Sequence, residues 1–284
     1  MSAALRIALL TALTLCCFAA NSILTRVALR DGGMDGLAFA VIRVASGALM
    51  LLFLLSRRGE GRRALAGDWP SALALVIYAA AFSVAYLSIP SGTGALILFG
   101  SVQVTMIGAG LIQGERPPWQ EWGGVLVSMS GLLVFLLPGL QRPPLAGSVL
   151  MLAAGMAWAA YSLRGRGNRD PLAATAGNFV RGLPLVLVPW VLFGSVEMNP
   201  VGVACALASG ALASGLGYAL WYTVLPMLTA LRASLVQLAV PVLVTVFGVL
   251  FLGEPLGLRL LTGMAMIVGG LAMATLYRAG RLKP

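Results

Sequence analysis

Residues 111–133, LIQGERPPWQEWGGVLVSMSGLL, and residues 250–272, LFLGEPLGLRLLTGMAMIVGGLA, share one pattern, a Gly-Glu pair placed between two long apolar runs. When Glu115 is aligned with Glu254, four glycines also take matching positions: Gly124 with Gly263, and Gly131 with Gly270. An internal repeat constrains topology more than an isolated motif does. The match therefore predicts a chain built of two similar halves.

A second match extends the repeat towards the start of each half. Residues 18–22 (FAANS) align with residues 158–162 (WAAYS) at nearly the same offset. We assign one half to residues 1–140 and the other to residues 141–284. The first apolar stretch resembles a signal peptide, but its internal counterpart cannot be one, so we expect a retained first helix.

The composition is that of an integral membrane protein. Hydrophobic residues make up 60% of the chain, charged residues 10%, and the mean hydropathy is +0.95, whereas a soluble domain carries about a quarter charged residues. The apolar runs are about twenty residues long, which suits membrane-spanning helices and is too long for barrel strands. They predict ten spans, at residues 5–25, 36–56, 69–89, 92–113, 119–138, 145–164, 172–193, 200–222, 231–252 and 257–277.

Five spans in each half is an odd number, so the second half enters the membrane from the opposite side. The two halves are therefore expected to be inverted relative to each other. Inverted repeats are typical of secondary transporters, because two similar halves can exchange conformations and expose one central site to either side. The pattern predicts one all-α membrane domain of this kind.

The net charge of +10 is explained by the membrane topology and does not indicate a nucleic-acid partner. With the N-terminus inside, thirteen basic residues lie in cytoplasmic segments: Arg6, Arg57, Arg58, Arg62, Arg63, Arg116, Arg164, Arg166, Arg169, Arg232, Arg278, Arg281 and Lys283. Four lie outside: Arg26, Arg30, Arg142 and Arg259. By the positive-inside rule, both termini are expected in the cytoplasm.

Two five-helix halves, each closing with a Gly-Glu turn and a Gly-rich last helix, resemble the EamA branch of the drug/metabolite transporter superfamily. The resemblance covers the whole chain. Its short loops and aromatic side chains are most similar to the YddG-type amino-acid exporters of bacterial inner membranes. The resemblance implies a basket-like bundle of ten helices in an inner membrane, with a central cavity that opens alternately to the two faces.

Two charged residues, Arg43 and Arg181, fall clearly within the predicted spans and not at their ends, and they are near repeat equivalents. Buried charges in membranes are functional candidates. In one interpretation, one of the two, with Arg181 preferred, faces the cavity and attracts a substrate carboxylate. Asn178, one turn earlier, would present a second polar contact on that face. In the alternative, each arginine snorkels to an interface or bonds backbone carbonyls.

Aromatic side chains recur every four residues on two repeat-related helices: Tyr78, Phe82 and Tyr86 on the third, and Tyr218 and Tyr222 after Ser214 on the eighth, with Trp221 alongside. This spacing puts each set on one helix face. Tyr and Trp need partners for their polar atoms when they are buried, so mid-span positions favour a cavity lining. We predict substrate contacts for Tyr78, Phe82, Tyr218 and Trp221, whereas Tyr86 and Tyr222 also suit an interfacial belt.

Four further helices contribute candidates. The first and sixth carry the repeat pair Asn21 and Tyr161, with Trp158 beside the latter. The fourth and ninth carry Gln103 and Gln237. Amides in a membrane must be hydrogen-bonded, so these either join helices or contact a polar ligand.

The candidate cavity is aromatic, bears amides and lacks an acid. It suits a small zwitterionic or partly apolar solute. The resemblance to YddG-type exporters implies that this solute is an aromatic or other neutral amino acid, or a related metabolite, and that it is exported. It does not suit a strongly cationic drug. Membrane lipid is the other expected partner. The chain has no histidine, so no His-based metal site is predicted, and we expect no cofactor.

Three alternatives compete with this prediction. The same fold could carry another small metabolite or drug. A passive channel would usually be a symmetric oligomer, whereas this chain has its own internal symmetry and is expected to work as a monomer. A membrane-embedded enzyme would need a nucleophile with a base, or a metal cluster, which the spans do not supply. We therefore predict a transporter and not an enzyme.

Overall fold

The structure is a computed structural model that describes six ranges of the chain: residues 3–29, 33–58, 66–89, 91–136, 144–252 and 257–279. Glu254, the repeat counterpart of Glu115, lies outside these ranges. The described residues contain no β-strand beyond one bridge pair, Met34 with Met198. The predicted all-α class is therefore confirmed.

Ten helical segments occupy the described ranges, numbered here in chain order. The first five are α1 (Ala3–Leu29), α2 (Gly36–Ser56), α3 (Trp69–Ala85), α4 (Ser91–Ile112) and α5 (Trp119–Leu136). The others are α6 (Leu145–Gly165), α7 (Pro171–Phe193), α8 (Pro200–Met227), α9 (Ala230–Gln237, continued by Ala239–Leu252) and α10 (Leu258–Ala279).

Seven of the described helices are long and apolar enough to cross a membrane: α1, α2, α4, α6, α7, α8 and α9. Shorter apolar helices lie at Trp69–Ala85, Glu121–Val134 and Leu261–Met273. By length and composition, the chain is a multi-pass membrane protein. The count of ten membrane spans stays a prediction.

Several helices begin where the sequence supplies an N-cap. The carboxylate of Asp35 accepts from the backbone N–H of Ala38 at 2.7 Å, before α2. Asp68 does the same for Ser71 at the start of α3, at 2.9 Å. These side chains satisfy N–H groups that have no partner within the helix. The caps hold the ends of α2 and α3 at defined places.

Two helices depart from regular α geometry. In α8, residues Ser209–Leu216 form a π-helical stretch. In α9, regular helix stops at Gln237 and resumes at Ala239. Pro241 explains the second break, because proline has no N–H to donate to the carbonyl four residues earlier, that of Gln237.

α5 and α10 pack closely and run antiparallel. A methyl group added at Gly131 would lie 2.8 Å from the carbonyl oxygen of Gly263, and one added at Gly270 would lie 2.5 Å from that of Gly124. Midway between these contacts, Ser128 Oγ donates to the carbonyl of Ile267 at 3.3 Å. Gly131 of α5 thus contacts Gly263 of α10, and Gly124 of α5 contacts Gly270 of α10. Because the repeat aligns Gly124 with Gly263 and Gly131 with Gly270, the two contacts are related as residues are around a two-fold axis.

Other helix contacts also pair a helix of one predicted half with a helix of the other. α2 packs on α7 and α4 packs on α9, and each of these pairs joins helices that the predicted repeat makes equivalent. α3 packs on α6, and the counterpart contact joins α1 to α8. Between these helices lies a buried core of aromatic and small side chains.

Candidate functional site

One arginine lies inside the bundle. Arg43, on α2, is 1% exposed. Its Nε donates to Ser214 Oγ at 2.9 Å, and its Nη2 donates to the hydroxyls of Tyr78 and Tyr218, each at 3.0 Å. A single guanidinium therefore joins α2, α3 and α8.

Aromatic rings surround the charge of Arg43. Its guanidinium carbon lies 4.9 Å from the ring centre of Tyr78 and 5.2 Å from that of Phe82, within reach of cation–π attraction. Among the described residues, no acidic side chain pairs with Arg43, and its Nη1 is buried without a hydrogen-bond partner. The site thus holds a desolvated positive charge with unused donors, an arrangement that is costly unless a ligand completes it.

Trp158, on α6, is the centre of the aromatic packing. Its ring centre lies 4.8 Å from that of Tyr218, 5.1 Å from Tyr78 and 5.2 Å from Phe18. Its Nε1 donates to Gln237 Oε1 at 2.6 Å. We call Trp158, Phe18, Tyr78 and Tyr218, together with Arg43, the central cluster.

The central cluster brings repeat-equivalent residues together. Phe18 and Trp158, which the sequence aligns, are in edge-to-face contact. Tyr78 and Tyr218, on the equivalent helices α3 and α8, bond the same Nη2 of Arg43. The two halves of the chain therefore contribute matching side chains to one place.

The π-helical stretch of α8 supplies two serines to this site. Asn21 Nδ2 donates to the Tyr78 hydroxyl at 3.2 Å, and Asn21 Oδ1 accepts from Ser209 Oγ at 2.5 Å. Ser209 and Ser214 are five residues apart, the hydrogen-bond spacing of a π-helix, so they lie on one face. Close approach of α2 is possible there because Gly210 faces the backbone of Arg43.

The two predicted glutamines differ in their surroundings. Gln237 is satisfied: besides accepting from Trp158, its Nε2 donates to the carbonyl of Ala233 at 3.0 Å and contacts Met106 Sδ. Gln103, one turn before Met106 on α4, is 1% exposed, and neither its Oε1 nor its Nε2 has a hydrogen-bond partner among the described residues. Gln237 joins helices, whereas Gln103 offers unused polar atoms.

The other predicted aromatic residues form a layer beside the central cluster. Tyr161 lies 6.0 Å from Trp158 between ring centres, Trp221 lies 5.7 Å from Phe18, and Phe82 lies 5.4 Å from Tyr78. Tyr86 and Tyr222 are also buried, and each donates its hydroxyl to a backbone carbonyl. These last two therefore pack within the bundle and not in an interfacial belt.

Asn178 and Arg181 lie away from the central cluster, against the loop before α3. Asn178 Oδ1 accepts from the backbone N–H of Asp68 at 3.0 Å, and Arg181 Nη1 donates to the carbonyl of Ala66 at 2.7 Å. Between them, Gly67 has a positive φ of 88°, and a side chain there would meet Asn178. A role of Asn178 and Arg181 in substrate binding stays a prediction.

In the described part of the chain, three ion pairs join the predicted halves at the predicted cytoplasmic end. Asp68 pairs with Arg164 at 2.8 Å. The other two pairs are Glu115 with Arg166, at 3.3 Å, and Glu121 with Arg232. In every pair the acid comes from the first half and the arginine from the second.

Glu115 also caps a helix of the other half. Its carboxylate accepts from the backbone N–H groups of Ala230 and Leu231, at 2.9 and 3.4 Å, at the start of α9. A carboxylate at a helix N-terminus satisfies free donors and complements the helix dipole. The repeated Gly-Glu pair therefore has a structural use in this half.

The surroundings of the Asp68 carboxyl change its pKa. Partial burial disfavours its charged form, but the N–H and hydroxyl of Ser71 and the guanidinium of Arg164 bond the carboxylate and lower its pKa below the ordinary value. Asp68 therefore keeps its charge, and its ion pair, at neutral pH.

Phe18 and Phe179 were not among the predicted substrate contacts, and Arg43 was the less favoured of the two arginines considered for that role. Phe179 packs edge-on against Tyr218 with ring centres 5.7 Å apart. Arg43 carried a signal, an isolated charge in an apolar run, but its near equivalent Arg181 carried the same one. Only the packing of α2 against α3 and α8 distinguishes the two.

A bundle of apolar helices around a buried aromatic and polar site is the architecture of a multi-pass membrane transporter. The model of the EamA-like transporter family matches residues 145–276. The uncharacterized protein PA1977 of Pseudomonas aeruginosa is 50% identical over 277 residues, which cover 97% of this chain and 96% of that protein. The chain belongs to the EamA-like transporter family.

Two further similarities are informative. The threonine/homoserine exporter RhtA of Salmonella typhimurium is 29% identical over 185 residues, covering 61% of this chain and 60% of that protein. A protein of known crystal structure superposes with a TM-score of 0.79, covering 96% of this chain and 98% of that chain at 20% identity. The second similarity is one of fold alone.

Proposed function

We propose that this protein exports amino acids, aromatic and other neutral ones, across a bacterial inner membrane by alternating access of the central cluster. The observation that carries the proposal is the cluster itself: one buried cation, two tyrosine hydroxyls and the ring of Trp158 meet at a point supplied by both halves. Such a site offers one charge for a carboxylate and ring faces for an apolar side chain.

The proposed architecture is ten spans in two inverted five-helix repeats, with both termini in the cytoplasm. Its support is the reciprocal contact of Gly131 with Gly263 and of Gly124 with Gly270, in antiparallel helices. Equivalent helices that pair antiparallel around a two-fold axis are expected of inverted repeats and not of parallel ones. The chain carries this axis within itself, so we propose that a monomer is functional.

The proposed binding set follows from contacts with the central cluster. Asn21, Tyr78, Phe82, Trp158, Tyr161, Tyr218 and Trp221 either belong to it or touch it. Gln103 adds a buried amide without partners, and Gln237 orients Trp158. The cargo is proposed by analogy with RhtA, whose name assigns it threonine and homoserine.

The test is uptake of labelled amino acids into proteoliposomes containing the purified protein. We expect saturable uptake of aromatic and small neutral amino acids, reduced at least about tenfold in Trp158→Ala, which deletes the central ring of the cluster. Absence of uptake of any amino acid, with uptake of another metabolite or a drug, would reject the cargo. Equal rates with and without a pH gradient would exclude proton coupling.

A further inference from the structure

We propose that Nη1 of Arg43 binds the carboxylate of the transported solute, so that the protein selects amino acids over the corresponding amides and amines. The proposal rests on the proposed function, because it names the group of the amino acid that the central cluster recognises. Its starting observation is a buried guanidinium nitrogen that has no partner in the described part of the chain.

The donors of Arg43 can be counted one by one. A guanidinium carries five N–H groups and no acceptor. The Nε–H bonds Ser214, and the two on Nη2 bond Tyr78 and Tyr218. The two N–H groups of Nη1 remain, both in a side chain that is 1% exposed.

The surroundings make an anion the matching partner. Rings of Tyr78 and Phe82 attract the cation but accept no strong hydrogen bond, and no acid among the described residues neutralises it. Leaving buried donors of a charged group unpaired costs more than leaving neutral ones. A carboxylate would supply both the missing acceptor and the missing charge, through short charge-assisted bonds.

The free donors also restrict which anion fits. Because both hydrogens of Nη2 are occupied, the ligand meets Arg43 at Nη1 alone and cannot use a two-nitrogen fork. One nitrogen and one unit of charge match a single carboxylate, whereas a phosphate dianion would keep oxygen atoms and charge unsatisfied among aromatic rings. Trp158 packs against Tyr78 and Tyr218, the two tyrosines that bond Arg43, so we place the remainder of the solute at its ring.

A hydroxyl next to Arg43 can hold the same carboxylate. The Tyr78 oxygen accepts from Arg43 Nη2 and from Asn21 Nδ2. A hydroxyl has two lone pairs and one proton. The Tyr78 and Tyr218 hydroxyls also hydrogen-bond each other, so Tyr78 can turn its proton from Tyr218 to the carboxylate when the solute binds. Arg181 offers no equivalent site, because its guanidinium bonds the carbonyl of Ala66 outside the cluster.

The experiment compares acid and amide as competitors. Proteoliposomes take up labelled L-phenylalanine in the presence of unlabelled L-phenylalanine, L-phenylalaninamide or phenethylamine. In the wild type, the acid should compete about 10- to 100-fold better than the amide, the range for hydrogen bonds to a charged group. In Arg43→Gln this ratio should fall to about one, and Arg43→Lys, which keeps the charge, should retain an intermediate ratio.

Arg26→Gln is the matched control. Arg26 is a second arginine of the bundle; it is half-buried and donates to the backbone carbonyl of Tyr86 and not to the central cluster. Its substitution should leave the ratio of acid to amide unchanged. Melting temperatures of all variants, measured in detergent, separate loss of recognition from loss of fold.

The outcomes are distinct. If the wild type transports phenylalanine but prefers the amide or shows no preference, the proposal is overturned whatever any variant does, and the exporter function stands. It is likewise overturned if Arg43→Gln keeps the wild-type ratio. If the wild type transports no amino acid, the proposed function fails, and the carboxylate site falls with it.

Discussion

At the residue scale, the account depends on a single buried cation. Arg43 is held by Ser214, Tyr78 and Tyr218, and none of these partners is charged. Such bonds orient the guanidinium without neutralising it, so its charge stays available to a ligand. The tyrosine hydroxyls are therefore positioning groups as well as candidates for substrate contact.

Tyr218→Phe tests this positioning. The ring and its contacts remain, but Arg43 loses one acceptor, and a hydrogen bond to a charged group contributes about 1.5–3 kcal/mol. We expect the uptake rate of phenylalanine in proteoliposomes to fall about tenfold. Tyr222→Phe, four residues later, removes a hydroxyl that donates to the carbonyl of Tyr161 and not to Arg43, and should lower uptake less than about twofold. Equal losses in the two variants would contradict the role of Tyr218.

Asp68 provides a residue-scale prediction on pH. Its pKa is lower in the folded protein than its ordinary value of 3.8, so its contribution to stability is present above that value and is lost as the pH falls below it. Asp68→Asn keeps a capping side chain but loses the ion pair with Arg164. We expect a lower melting temperature at pH 7, by an amount worth less than about 1 kcal/mol because the pair is half-exposed.

The control for that prediction is Asp35→Asn, the same change at an N-cap. Melting in detergent is measured from pH 7 down to pH 3 for both variants and the wild type. The difference between Asp68→Asn and the wild type should shrink as the pH approaches 3. A difference in melting temperature that grows on acidification would contradict a lowered pKa of Asp68 in the folded protein.

The limits of prediction at this scale are clear from Arg43 and Arg181. Sequence identified both as isolated charges in apolar runs, and their spacing made them equivalent. Which one meets the aromatic rings depends on the rotation of α2 and α7 within the bundle, a property of packing and not of either helix alone. The stripes of Tyr78 and Tyr218 were predictable because a four-residue period specifies a helix face.

At the element scale, α5 and α10 form a tight glycine-lined pair. The carbonyl of Gly263 faces Gly131, and that of Gly124 faces Gly270. Close approach of small residues lets helices associate in a membrane through van der Waals contact. These helices carry no residue of the central cluster, so their role is to hold the two halves together.

Gly131→Ala tests the pair. The added methyl group would lie 2.8 Å from a carbonyl oxygen, and the helices must separate, at a cost of about 1–3 kcal/mol of stability. Gly269→Ala is the matched control, because a methyl group at that position meets nothing within 4 Å. We expect a lower melting temperature in detergent for Gly131→Ala only. A neutral Gly131→Ala would show that α5 and α10 are not in this contact.

Two features of the helices could not be predicted from the sequence. The sequence of α8 does not indicate that Ser209–Leu216 would widen into a π-helix. The widening is coupled to tertiary contacts, since Ser209 bonds Asn21 and Ser214 bonds Arg43. The capping of α9 by Glu115 is likewise a contact between halves, which no local signal specifies.

At the scale of the whole molecule, the proposed inverted repeat links the fold to the proposed transport. The reciprocal contacts between α5 and α10, and the paired side chains in the central cluster, are the contacts expected of such a repeat. Acids of one half and arginines of the other pair at the predicted cytoplasmic end. Contacts of this kind can form and break as two halves rock around a fixed site.

The central claim is that the cluster around Arg43 is reached from both faces of the membrane. The most direct measurement is labelling of a single cysteine, Ser214→Cys, in a protein whose Cys16, Cys17 and Cys205 are replaced by alanine. A membrane-impermeant maleimide is added to oriented vesicles from one side or the other, with and without phenylalanine. Thr223→Cys, at an exposed position nearer the end of α8, serves as the control for sidedness.

We predict that Ser214→Cys is labelled from either side, that phenylalanine slows its labelling from both, and that Thr223→Cys is labelled from one side only. Labelling of Ser214→Cys from a single side, under every condition, would contradict alternating access at this site.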